Sequence, residues 1–134
     1  MEFPAQLDSL SEMMNWIERQ LSSHPKIFKK MELACEEALV NVINHSSKNQ
    51  DSILNIDTSI MPGKIEVVIR DKGLPFNPLE KKDQIDPSLT LEEREVGGLG
   101  IFFILKTLDS VSYKRVSDHN VLTLVKFTDS SQIK

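Results

Sequence analysis

The sequence predicts an α/β two-layer sandwich, with helices packed on one face of a mixed, largely antiparallel sheet. Three observations carry this. Two stretches of helical periodicity fill residues 9–45. Two alternating segments follow, joined by Pro62-Gly63. Two more alternating segments close the chain. Two strand pairs with short links are hairpins, and helices with one apolar face need an apolar surface to cover.

Each element has its own justification. Glu2-Phe3-Pro4-Ala5 suits a short edge strand, because Pro is tolerated at an edge. Ser9 and Glu12 have capping-box spacing, so a helix is expected to start there. Leu10, Met13, Met14, Ile17 and Leu21 follow at helical intervals, and Pro25 ends or offsets that helix. A second helix is expected over about 26–45. Leu54, Ile56, Thr58 and Ile60 alternate, Pro62-Gly63 suits the centre of a type II turn, and Ile65, Val67 and Ile69 alternate on the way back to Arg70-Asp71. Residues 79–96 are polar and charged, with Pro87 among them, and loops of that length are often lids or binding loops. Gly97-Gly98-Leu99-Gly100 then opens an apolar helix over 101–108. Strands are expected at 111–116 and 121–127, linked by Ser117-Asp118-His119-Asn120.

Composition narrows the function. The 134 residues are about one domain, expected to span 1–134. Hydrophobic residues are 40% and charged residues 27%, an ordinary globular balance. The net charge of −4 argues against a surface that binds nucleic acid directly. Cys35 is the one cysteine, so no internal disulfide or cysteine-based metal cluster is available, and His24, His45 and His119 show no ligand spacing. No apolar run approaches the roughly 20 residues of a membrane span, and the N-terminus has no basic segment followed by a long apolar one. The expectation is a cytoplasmic domain without membrane contact.

The second helix carries the strongest chemical signal. At about 100° per residue, Met31, Ala34, Cys35, Ala38, Leu39, Val42 and Ile43 share one arc, the expected core face. Glu37, Asn41, Asn44 and Lys48 fall within roughly 60° of one another on the other side. An Asn carbonyl suits a hard cation such as Mg²⁺, and a carboxylate beside it can deprotonate a nucleophile. An isolated E-x-x-x-N is commonly only a solvated helix face. Asp71-Lys72-Gly73 directly follows a strand, so its carboxylate can accept from an exocyclic amine such as that of adenine, and Gly73 allows close approach. Alone, Asp-x-Gly is a common turn. Gly97-Gly98-x-Gly100 leads into a helix, whose free N–H groups make an anion site. It matches neither the Rossmann fingerprint nor a P-loop. The order of these motifs supplies what none has alone: base, metal ligand, adenine acceptor and phosphate cradle.

That order resembles the GHKL superfamily, the Bergerat-fold ATPases, and within it the anti-sigma factor serine/threonine kinases. Glu36-Glu37-Ala38-Leu39-Val40-Asn41-Val42-Ile43-Asn44-His45 resembles the N box, Asp71-Lys72-Gly73-Leu74-Pro75-Phe76-Asn77-Pro78 the first glycine box, and Gly97-Gly98-Leu99-Gly100 the second. The resemblance covers nearly the whole chain. It implies ATP and Mg²⁺ as ligands, Glu37 as general base, Asn41 on Mg²⁺, and Asp71 and Gly73 on adenine. It also implies Asn44, His45, Gly98 and Gly100 on the nucleotide, with Thr123 reaching adenine through water. Departures are Asn44, where histidine kinases often carry Lys, and Val96, where some relatives carry Arg. The implied activity is phosphorylation of an anti-anti-sigma (STAS-type) protein together with sequestration of a sigma factor, by a homodimer. The competing expectation is a non-catalytic module that switches partners by nucleotide state.

Overall fold

In the computed structural model, residues 1–46, 52–79, 104 and 106–128 are described. Strand β1 (Glu2–Pro4) lies at one edge and pairs with β2 (Ile53–Met61), with Phe3 opposite Leu54. The chain turns at Pro62-Gly63 into β3 (Lys64–Asp71), the middle of the sheet. Gly63 has φ 86°, the value the third position of a type II turn demands and glycine supplies without steric cost. The last two strands, β4 (Ser110–Val116) and β5 (His119–Phe127), complete the order β1-β2-β3-β5-β4. Every pairing is antiparallel, so the sheet described is antiparallel throughout, not mixed.

Helices α1 (Leu10–Gln20) and α2 (Pro25–Ser46) cover one face of this sheet. Ile65, Val67 and Ile69 alternate inward along β3 beside Leu54 and Ile56, and they meet Met13 and Ile17 of α1 in one core. All seven residues of the expected α2 arc are buried there, Cys35 included. Fully burying a large apolar side chain contributes about 1.5–3 kcal/mol, which explains why the two helices hold to the sheet. Trp16 meets Phe3 edge to face, centroids 6.3 Å apart, fastening the β1 edge to α1. Among the described residues, no helix is long and apolar enough to cross a membrane.

Three local expectations change. Ser9 makes no side-chain capping bond: a 3₁₀ turn at Leu7–Ser9 runs straight into α1, so Ser9 already has helical angles (φ −89°, ψ −5°) instead of the extended ones a cap uses. Pro25 is the first residue of α2, where its missing N–H costs nothing. The link between the last two strands is two residues long, not four. Ser117 (φ 47°) and Asp118 (φ 69°) both adopt positive φ, as a type I′ hairpin requires. His119 and Asn120 therefore belong to β5.

Candidate functional site

The inward face of the sheet is apolar until its last rung. There Asp71, ending β3, pairs with Asn120, second in β5, and both side chains are buried. Two buried polar groups need partners, and here they find each other. Asn120 Nδ2 donates to Asp71 Oδ1 at 3.1 Å and to the Leu74 carbonyl at 2.9 Å. The Gly73 N–H donates to the same Asp71 oxygen at 2.7 Å, folding the chain back over the end of β3. Arg115 donates to the Gly73 carbonyl at 2.7 Å from β4.

A small, partly open cleft lies against this rung. Val42 and His45 of α2 form one wall, and Ile69, Asp71, Asn120 and Leu122 form the sheet side. Phe76 and Pro78 of the loop and Tyr113 of β4 close it. His45 and Phe76 stack, centroids 3.6 Å apart and planes 16° off parallel. Flat apolar walls with a carboxylate at the end suit a planar heteroaromatic ring that carries an N–H donor.

The α2 polar stripe meets the fold differently from its sequence expectation. Asn41 is buried, Glu37 half-buried and Asn44 exposed. Asn41 lies only about 20° around the helix from Ala34, at the border of the core arc, which explains its burial. Its Nδ2 donates to the Glu37 carbonyl at 2.9 Å, which leaves Oδ1 as the accepting end of the amide. Glu36 is exposed. The Cys35 thiol is pushed up to about 12, by burial first and then by the Glu32 carboxylate, so it is a core group and no nucleophile.

Of the residues expected on the nucleotide, Asp71 and His45 share the cleft, and Gly73 anchors the loop beside it. Gly98 and Gly100, with residues 80–96 of the expected loop, lie outside the described residues. Thr123 is not brought to the site. It pairs with Val68 and Ser112, one position off the Asp71 set, and so faces the other side of the sheet. Asn120, Tyr113 and Phe76 line the cleft in its place. The sequence does carry a signal for Asn120: counting back by twos from the buried Leu124 and Leu122 reaches it.

A two-layer fold of helices on one face of an antiparallel sheet, with this cleft at the end of the sheet, is the architecture that defines the chain's class. The histidine kinase-like ATPase domain family matches residues 3–126, and the chain belongs to that family. Among solved structures, the catalytic domain of histidine kinase ThkA aligns with a TM-score of 0.52 at 14% identity, covering 95% of each chain. The mycobacterial sensor histidine kinase MprB aligns with a TM-score of 0.54 at 15% identity, covering 95% of this chain and 96% of its own. At such identities the likeness is one of fold. In sequence, the chain is similar to the serine-protein kinase RsbW of Staphylococcus aureus strain MRSA252, 31% identical over 107 residues. That match covers 76% of this chain and 67% of the relative. RsbW of strain MSSA476 matches to the same extent.

Proposed function

We propose that the chain is an ATP- and Mg²⁺-dependent protein serine kinase. Its substrate is an anti-anti-sigma protein of STAS type, and it also sequesters a sigma factor. The observation that carries this reading is Asp71, a buried carboxylate at the end of an apolar cleft with one oxygen tied to the protein and the other facing no donor among the described residues. The likeness to a named serine-protein kinase supports the choice of serine over histidine as acceptor.

The residues fit the ligand. Asp71 Oδ2 accepts from an exocyclic amine, Val42, Ile69 and Leu122 exclude water around the ring, and Asn41 Oδ1 offers one hard oxygen to a cation. Bound MgATP would supply the transferable phosphoryl group and part of its charge neutralisation. Glu37, one helical turn from Asn41, takes the proton from the partner's serine hydroxyl. Asn44 and His45 continue the same end of α2, Gly73 lets the base approach closely, and Gly98 and Gly100 line the phosphates. Phosphorylation adds about −1.5 to −2 charges to the partner, which weakens its hold on an acidic chain and frees this one for the sigma factor. A single cytoplasmic domain over 1–134, acting as a homodimer, completes the proposal.

The test is labelled-phosphate incorporation into the partner at saturating ATP. Glu37→Gln keeps shape and hydrogen bonding but not basicity, and should lower transfer by about 10²-fold or more while ATP binding survives. Glu36→Gln, exposed next door, should change transfer little. Equal loss in both variants would remove Glu37 from the role. Tight ATP binding by the parent with no transfer would leave the non-catalytic module.

A further inference from the structure

Asn120 does more than fill the last rung of the sheet. Its amide divides its partners by chemistry. The Nδ2 side meets two groups that only accept, Asp71 Oδ1 at 3.1 Å and the Leu74 carbonyl at 2.9 Å. The Oδ1 side meets three donors: the Tyr113 hydroxyl at 2.5 Å, the Phe76 N–H at 3.2 Å and Arg115 at 3.2 Å. Those partners fix the amide's orientation, because turning it over would set N–H against N–H and oxygen against oxygen. Both amide protons are used. One side chain thus ties the carboxylate of β3, the backbone of the loop at residues 74 and 76, and two side chains of β4.

The consequence falls on Asp71. Its Oδ1 receives Asn120 and the Gly73 N–H, at 3.1 and 2.7 Å, and this pair of bonds sets the carboxylate plane. Oδ2 receives no bond from the described residues, and Asp71 lines the cleft. Resting on the reading of that cleft as an ATP site, we propose that Asn120 is a positioning residue for base selection: it holds Asp71 and the 73–76 loop so that one carboxylate oxygen meets the exocyclic amine of the purine. Only an amide serves here. A hydroxyl lacks the second proton, and a carboxylate would face Asp71 and the Leu74 carbonyl as a third acceptor.

Selectivity is the readout, because it separates positioning from folding. Calorimetry on the full chain would compare ATP with the triphosphate of purine riboside, which lacks the exocyclic amine. The parent should prefer ATP. Asn120→Ala should weaken ATP binding about tenfold or more and reduce that preference, while the analogue loses less. Mere loss of folded protein would lower the binding stoichiometry and leave the ratio of affinities alone. Asn120→Asp, of the same shape, should abolish the preference. Tyr113→Phe, which removes one donor to Oδ1, should narrow it by about two- to threefold, and it carries the test should the Asn120 variants fail to fold. A preference in the folded variants equal to the parent's overturns the proposal. A parent that binds both ligands equally, or neither, overturns the ATP site itself and this proposal with it.

Discussion

The two ends of the β3–β5 ladder are built on one register and serve different purposes. Toward one end lies Ile65, and in the middle of the ladder Val67 faces Leu124, all three fully buried and apolar. At the other, four residues along each strand from Val67 and Leu124, Asp71 faces Asn120, also buried but held by hydrogen bonds to a loop and a neighbouring strand. The apolar end needs only fit, so its contribution is stability. The polar end needs its donors and acceptors matched, and among the described residues Asp71 Oδ2 is left without a donor on a residue that lines the cleft. A fold keeps such a rung at the end of its sheet, where a loop can cover it and a ligand can reach it.

This contrast can be broken from either side. The largest effect is expected at the apolar end. Ile65→Ala should cost about 2–5 kcal/mol of stability in urea unfolding, because β3 is central and the cavity cannot collapse far. Its folded fraction should bind ATP with the parent's Kd. A changed Kd would mean the two ends are coupled through β3.

Asp71→Asn should act in the opposite sense. An amide there keeps an oxygen for Gly73 and Asn120 but turns N–H groups toward the ligand's amine. ATP affinity should fall by about tenfold or more, and unfolding should move by under about 1 kcal/mol. Unchanged affinity in calorimetry would remove Asp71 as the base acceptor.

A third effect probes the apolar core that α2 lays against the sheet. The Cys35 thiol is pushed up to about 12 from an ordinary value of 9.0, chiefly by burial. The unfolded thiol therefore loses its proton first. Its contribution is fully present below pH 9 and is lost as pH rises from 9 toward 12, at no more than about 1.4 kcal/mol per pH unit. Stability curves of the parent and Cys35→Ala should run parallel below pH 9 and converge above it. A pH-independent gap across that window would contradict the buried neutral thiol.

The smallest effect lies on the open face of the sheet. Arg70 and Asp57 pair there at 2.5 Å, with side chains 40% and 54% exposed. Asp57→Ala should change stability by at most about 1 kcal/mol, and less at high salt, without touching ATP affinity. A larger loss in thermal unfolding would show that this face is more than a solvated surface.

The sequence by itself determined the kinds of element and their order. Helical spacing on 31–43 marked the buried arc of α2, alternation marked the strands, and Pro62-Gly63 marked the turn that Gly63 makes with positive φ. It also named Asp71, through the order in which Asp71-Lys72-Gly73 follows the Glu37 and Asn41 helix and precedes Gly97-Gly98-Leu99-Gly100. Position within the sheet was decided elsewhere. The stretch Val121-Leu122-Thr123-Leu124-Val125 is apolar on both faces, so alternation alone does not say which face Thr123 takes. The two-residue turn at Ser117 and Asp118 decides it, by drawing His119 and Asn120 into the strand and setting Asn120 against Asp71. Asn41 is buried for a related reason: it borders an arc whose edge is set by what packs on α2, not by its own polarity. Local patterns fix what repeats along a chain. Which side chains meet across strands depends on register, and register is a property of the assembled sheet.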